Sequence, residues 1–541
     1  MTRAPRSPHR DPAPRPARRP PAALATLAAL AAALCAGCVN LAPDYRRPAA
    51  PLPAAWLPGA EPLAPAAPAA AGTADGAAAA TASAGAGQAA AAPDAGLPPP
   101  AELGWRDFFQ DARLRQLVAL ALDNNRDLRV AALNIAQARA QYGIQRAALL
   151  PTVNATAAGT RQRALTATGA SVLSQQYSVG VGFASYEIDF FDRIGNLSDA
   201  ALQTFLSTAE TRRSVQIGLV ADTANAWLTL AADQRRLRLA RETLRSQQAS
   251  YDLTSRARAL GAESGLTLAQ ARTTVDAARV DVAAYTRQVA QDRNALALLV
   301  GAAPPPELLP PGGDAADDIA AVPQSALVAV PAGLPSDVLQ GRPDVLAAER
   351  ALQAANARIG AARAAFFPSI RLTGSAGSAS RELSDLFGGN SGIWSFSPQI
   401  VLPIFTAGAL RASLDVAEIG RDITVAQYEK TLQTAFREAS DALAARQTLG
   451  EQVAAQLSLR DASATALRLS EARFRSGLDS FLDVLVIQRS YYTAGQALIT
   501  LQLAEQANRV TLYRVLGGGW RESTGTARAL DPAGPAGASG G

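Results

Sequence analysis

The chain repeats itself at a spacing of about 216 residues. Asp127-Leu128 through Leu149-Leu150-Pro151 returns as Asp344-Val345 through Phe366-Phe367-Pro368, Gly261 and Leu266 return as Gly477 and Leu482, and Val300-Gly301 returns as Leu516-Gly517. Anchors that keep their order across so long a unit mark a duplicated architecture. Two copies are too few for a solenoid, so each half is one large supersecondary unit.

Proline separates the element types inside each half. None occurs from Thr152 to Ala303 or from Ile404 to Asp531. These windows hold long runs rich in Ala, Leu, Arg, Gln and Glu, predicting helices at Leu197–Ala259, Leu266–Val300, Leu410–Phe474 and Leu482–Leu516. At about 1.5 Å per residue, a helix of roughly 60 residues is about 90 Å long, more than a compact core needs. Abundant Ala with spaced Val416, Ile419 and Ile423 fits closely packed helix seams.

Two stretches of strand periodicity interrupt the helices of each half. Tyr177-Ser178-Val179-Gly180-Val181-Gly182-Phe183 alternates large with small residues, as does Trp394-Ser395-Phe396-Ser397 running on to Ile400 and Leu402. Their partners are Thr152–Arg161 and Ser369–Ser380. Such alternation is shared by membrane barrel strands and the edges of soluble sandwiches. The sequence offers no further strands for a sandwich, which favours the barrel. Four strands cannot close one, and an open edge in lipid costs several kcal/mol for each unpaired backbone group. Closure requires other copies: three would supply twelve strands. The expected fold is a mixed α/β membrane protein, a β-barrel whose wall the long helices continue as a tube.

Charge and composition remove other classes. The formal net charge of +5 belongs to residues 1–37, which carry Arg3, Arg6, Arg10, Arg15, Arg18 and Arg19 against Asp11, and the remainder is formally neutral. No basic working surface for nucleic acid follows from such a balance. The single His is His9 and the single Met is Met1, so the body lacks imidazole for triad catalysis or His-ligated zinc. Cys35 and Cys38 are too close for a disulfide framework, and no cofactor is implied beyond a covalent lipid on Cys38.

That lipid is suggested by the leader. An arginine-bearing start and an apolar run from Ala22 to Leu34 read as a signal peptide. The run ends in Leu34-Cys35-Ala36-Gly37-Cys38, which resembles the bacterial lipobox, with Cys35 where Leu is usual; Cys35 is the poorer acceptor because bulky Leu34 precedes it. Val39 follows rather than Asp, which in the lipoprotein sorting rule implies the outer membrane. An ordinary secretory signal with an incidental Cys38 is the alternative. The chain then divides into a signal peptide (1–37), an anchor and Ala/Pro-rich tether (38–100), a first repeat (101–310), a linker (311–334), a second repeat (335–520) and a loose tail (521–541).

Several motifs together carry a family resemblance. Trp105-Arg106-Asp107-Phe108-Phe109, Gly341-Arg342-Pro343-Asp344-Val345 with Glu349, Ala364-Ala365-Phe366-Phe367-Pro368, Leu402-Pro403-Ile404-Phe405, Ala42-Pro43-Asp44-Tyr45-Arg46-Arg47-Pro48 and Leu516-Gly517-Gly518-Gly519-Trp520 resemble the TolC-like outer-membrane efflux protein family, in its NodT-like lipoprotein branch. The resemblance implies a homotrimer, with a twelve-stranded outer-membrane β-barrel continued by a long periplasmic α-helical barrel. Its function would be the exit duct of a tripartite system, in which an inner-membrane RND transporter supplies energy and a periplasmic adaptor protein connects the two.

It also implies a gate at the far helix tips, near Leu260–Gly265 and Ser476–Ser480. Asp483 matches an acidic family position, Val486 stands where many relatives carry a second Asp, and Thr267 is the uncharged first-half equivalent. Asp483, with Asp479, is expected to ring the pore, while Arg473 or Arg475 ties the tip to a neighbour. The other reading is that these acids are solvated charges favoured at a helix start. Two alternatives to efflux stay open: a duct for type I (ABC) protein secretion, and a non-conducting envelope lipoprotein that spaces two membranes. An enzyme fits least, because Arg342, Asp344 and Glu349 stand at a helix start where a cap and a first-turn ion pair account for them.

Overall fold

The computed structural model describes residues 39–51, 99–165, 169, 171–311, 327 and 336–525. Along the chain lie α1 (Trp105–Phe108), α2 (Ala112–Asn124), α3 (Arg126–Ala147), β1 (Val153–Leu165), β2 (Ser171–Ile188), α4 (Arg193–Ala259) and α5 (Gly265–Val300). The second half adds α6 (Pro343–Ala364), β3 (Ser369–Ser380), β4 (Gly392–Val401), α7 (Ala409–Arg475) and α8 (Phe481–Val515). The proline-free windows thus became α4, α5, α7 and α8. Among the described residues no helix is long and apolar enough to cross a membrane.

These elements gather into two compact units. One contains Ile144–Asp199, Asn356–Glu418 and the described residues up to Asp44; the other contains Tyr45–Gly143, Ala200–Ala355 and the chain from Ile419 onward. Each draws on both repeats, so a repeat is not a compact unit by itself.

The first unit is built on a four-stranded antiparallel sheet in the order β1-β2-β3-β4. Residues directly opposite one another share a face. The register sets Val153 against Phe183 and Ala155 against Val181, then Val181 against Ala376 and Ala376 against Trp394. One face therefore collects the apolar side chains, including Trp394, Phe396 and Ile400, all exposed. The other collects Asn154, Thr156, Ser178, Thr373, Ser375 and Ser397, with a Ser375 to Ser395 hydroxyl contact at 2.8 Å. Near the end of β2 a bulge adds one residue between Phe183 and Tyr186, with Ser185 at φ 55° and its N–H donating to Thr373 Oγ1 at 3.1 Å. The extra residue switches the parity of the strand. Tyr186 and Ile188 join the apolar face, opposite Leu372 and Ile370, and Glu187 turns to the polar face opposite Arg371.

β1 and β2 run further towards their shared hairpin than their alternation suggested, adding Gln162–Leu165 and Ser171–Gln176. These stretches mix Arg, Gln and Ser with Leu, so no periodicity marks them; backbone pairing alone extends the ladder.

In the second unit the core centres on α1, whose Phe108 ring stacks on Tyr513 of α8 at 3.9 Å between centroids and 8° between planes. Tyr513 donates its hydroxyl to the Leu103 carbonyl at 2.7 Å. The glycine run after α8 exists because of this ring. A Cβ at Gly518 would lie 2.2 Å from Tyr513 Cε2, and Gly517 and Gly519 hold φ of 85° and 108° as the chain turns over it. Arg342 joins three elements: it donates to Asp344 at 3.0 and 2.7 Å, to Glu438 of α7 at 3.1 Å, and to the Val515 carbonyl at 3.1 Å.

Three expectations are corrected. Glu349 makes no first-turn ion pair: it accepts from Arg47 at 2.8 and 2.6 Å and from the Tyr45 hydroxyl at 3.1 Å. The start of the supposed tether is consequently fastened, and in the first unit Asn356 likewise donates to the Pro43 carbonyl at 2.7 Å. The expected loose tail begins as a packed segment: Trp105 N–H donates to Arg521 O at 2.9 Å, Arg106 N–H to Glu522 O at 3.1 Å, and Thr524 N–H to an Asp107 carboxylate oxygen at 2.6 Å. These are mainly backbone and charge contacts, which polar composition does not advertise. In the linker, Leu327 is buried in a bridge to Phe109.

Substituting Gly518 by Val is expected to lower the unfolding temperature of the detergent-solubilised protein, at a cost of about 1–3 kcal/mol from overpacking against Tyr513, whereas Gly450→Ala, at a helical glycine with nothing near its Cβ, should leave it unchanged or raised. Differential scanning calorimetry reads both.

Candidate gate at the helix tips

Both tips use the same chemistry. α4 and α7 each end at a glycine in the left-handed region, Gly261 at φ 77° and Gly477 at φ 72°. The following helix then opens on a serine cap. Ser264 Oγ accepts from Thr267 N–H at 3.1 Å, and Ser480 Oγ accepts from Asp483 N–H at 3.4 Å. At the second tip the acid answers: Asp483 Oδ2 accepts from Ser480 N–H at 3.2 Å and from Ser480 Oγ at 2.6 Å, completing a capping box. Asp483 and Thr267 hold the same place in the two repeats, but only the second carries charge.

The other tip charges are paired within the chain. Arg473 donates to both carboxylate oxygens of Asp479, at 2.7 and 2.8 Å, and the guanidinium holds that carboxyl below the usual carboxylate range. Arg475 lies 3.5 Å from Glu471 one turn back on α7. Thus each arginine expected to tie a neighbour engages an acid of its own tip. Asp479 is neutralised locally, which leaves Asp483 as the exposed carboxylate of the pair. Phe474 and Phe481 pack ring to ring at 5.4 Å across the turn, and Phe481 is buried with Ala271 and Leu485. This apolar plug fixes the tip from within. Leu260, Leu266, Leu478, Leu482 and Val486 remain exposed around it. The Ser-x-x-Asp spacing that signals the box was present in the sequence; the Arg473–Asp479 pairing across the turn was not readable there.

Further along the same helices a polar layer crosses α4, α5 and α8. Arg236 pairs with Asp233 at 2.5 Å and donates to Thr500 Oγ1 at 2.9 Å; Gln288 donates to Asp292 at 3.0 Å, and Tyr492 to Asp281 at 2.9 Å. Burial, together with neighbouring Asp233, pushes Asp292 up to about 6. Among the described residues no group of side chains could hold a metal. Cys38 lies outside the described residues, but the Val39 N–H donates to Phe190 O at 3.3 Å, two residues beyond the end of β2.

Because the folded protein holds the Asp292 proton more tightly than an unfolded chain, whose Asp titrates near 3.9, its stability should fall as pH rises from about 4 to about 6 and then level. Asp292→Asn should abolish that slope in thermal melts across this range. Equal slopes in both proteins would show that the carboxyl is not shifted.

Known proteins match this chain along nearly its whole length. The profile described as outer membrane efflux protein matches residues 117–302 and 334–518, one match per repeat. A probable efflux pump outer membrane protein of Pseudomonas putida, TtgC, is 48% identical over 502 residues, covering 92% of this chain and 96% of the relative. The outer membrane protein OprJ of Pseudomonas aeruginosa is 43% identical over 506 residues, with the same coverage. Among solved structures, the open state of the Neisseria gonorrhoeae MtrE outer membrane channel superposes with a TM-score of 0.74 at 36% identity, covering 90% of this chain and all of that one. With the duplicated halves, the four-stranded sheet and the long helices all accounted for, the chain belongs to the outer membrane efflux protein family.

Proposed function

We propose that the protein works as a homotrimer, the passive exit duct of a tripartite RND-type efflux system, joined to an inner-membrane transporter through a periplasmic adaptor. The observation that carries this reading is the sheet. It has one apolar face, one polar face and two outer strand edges without a partner among the described residues. Three such sheets joined edge to edge give a closed barrel of twelve strands, lipid-facing on one side and water-filled on the other. Exposed apolar side chains on α3 (Val130, Leu133) and α7 (Val416, Ile419, Ile423) supply helix seams between copies. The relatives, which are named as efflux pump outer membrane proteins, favour efflux over protein secretion. Substrate choice rests with the transporter, since a duct selects little.

In this reading three Asp483 carboxylates face the constriction, and their capping bonds fix where the charge stands. Lipid on Cys38 agrees with the position of Val39 beside the end of β2.

Three measurements test these points. Native mass determination should give a trimer, and Ile419→Asp should reduce its fraction; a monomer that conducts would overturn the reading. In planar bilayers Asp483→Asn, which keeps an acceptor for the cap, should reduce cation selectivity, while Asp479→Asn should change it little because Arg473 already balances that charge. Cys38→Ser should remove the acyl mass from the purified protein.

A further inference from the structure

A groove of about 930 Å³ opens in the second unit between α2, α3, α4 and the segment after α8. Its floor is apolar, from Leu122, Leu128 and Ile135, and its rim carries four arginines against two acids. Two of the four are satisfied: Arg106 pairs with Glu522 at 2.7 Å and Arg213 with Glu210 at 2.7 Å. Arg212 and Arg521 have no acidic partner among the described residues. The Nε of Arg521 has no acceptor among the described residues. Its guanidinium lies 4.9 Å from the Trp520 ring centre, and that of Arg213 lies 5.3 Å from the same ring. The indole thus holds two cations towards the groove. Two guanidinium groups without a carboxylate, beside an apolar floor, suit a partner that brings carboxylates and a few apolar side chains.

The chain itself contains such a partner. Between Pro51 and Pro99, both in the second unit, residues 52–98 have Glu61, Asp75 and Asp94 as their only ionisable side chains, with no Lys or Arg, and scattered Leu52, Trp56, Leu57, Leu63 and Leu97. Pro99 is held in a turn shortly before the groove wall. Its carbonyl accepts from Glu102 at 2.7 Å and Leu103 at 3.1 Å, and Trp105 soon after lines the groove wall. Asp94 stands five positions before Pro99, within about 17 Å of it at full extension. A segment tethered so closely has an effective concentration on the order of millimolar at the groove, so weak individual contacts suffice.

We propose that the groove binds the acidic segment 52–98 of its own chain, with Asp94 meeting the Arg212 and Arg521 guanidinium groups over the apolar floor. This assignment is independent of the pore reading, because it concerns residues of one unit of a single chain.

Elastase, which cuts after small residues, tests it on the full-length protein in detergent. Cleavage within 52–98 should be about tenfold faster in Arg212→Glu/Arg521→Glu and in Asp94→Arg than in the parent, since proteolysis follows the released population. High salt should speed cleavage of the parent more than of either variant. Combining Asp94→Arg with Arg212→Glu should restore part of the protection. Cleavage rates that are the same in parent and variants would overturn the proposal. So would unchanged cleavage accompanied by a loss of trimer in the arginine variant, which would assign the groove to a second copy. Asp94→Arg keeps the test decisive if the arginine variant fails to fold.

Discussion

The open edges of a four-stranded sheet govern most of what this protein is. β1 and β4 each present a row of backbone donors and acceptors with no partner among the described residues. In water such edges are merely a risk of aggregation; in hydrocarbon each unpaired group is worth several kcal/mol. A sheet with one apolar face and two such edges is stable in hydrocarbon only where a neighbouring strand pairs each edge. The duplication gives the same answer from another direction. Each repeat contributes a hairpin, and the two hairpins meet through β2 and β3, where small residues such as Gly180 and Gly377 stand opposite each other.

The long helices face a different problem, since much of their surface is polar and their length leaves few places for a thick core. They solve it by crossing layers of paired side chains. Arg342 collects Asp344, Glu438 and the last turn of α8, and Asp233, Arg236, Gln288 and Asp292 form a polar layer between α4 and α5. At the tips the same economy of means recurs. A left-handed glycine, a serine cap and an internal ion pair shape a turn that carries one exposed carboxylate.

Much of this was legible beforehand. Long proline-free runs gave the four major helices almost residue for residue, because helix length and the absence of breakers are strong local signals. Strand positions were legible from Tyr177–Phe183 and Trp394–Ile400, where the alternation is clean. The hairpin end of β1 and β2 was not, since its polar residues pair through the backbone alone. Nor was the bulge at Ser185, although the apolar residues change parity between Phe183 and Tyr186 and so record it in retrospect. At the candidate gate, Asp483 was visible through the family resemblance, which matches it to an acidic position. The Arg473–Asp479 pair was missed, because it closes only when Gly477 turns the chain back.

What the sequence by itself determined was therefore the periodic part: duplication, helix lengths, strand faces, the exclusion of histidine chemistry and the placing of net charge in residues 1–37. Periodicity is a local property, and local propensity is written residue by residue. Only the tertiary structure decided which charges remain available. Arg47 and Glu349 are separated by the whole first repeat and the linker after it, as Arg106 and Glu522 are by most of the chain, yet each pair lies within hydrogen-bonding distance. Ion pairs of this kind depend on where folding brings two side chains, a distance that no spacing in the sequence encodes.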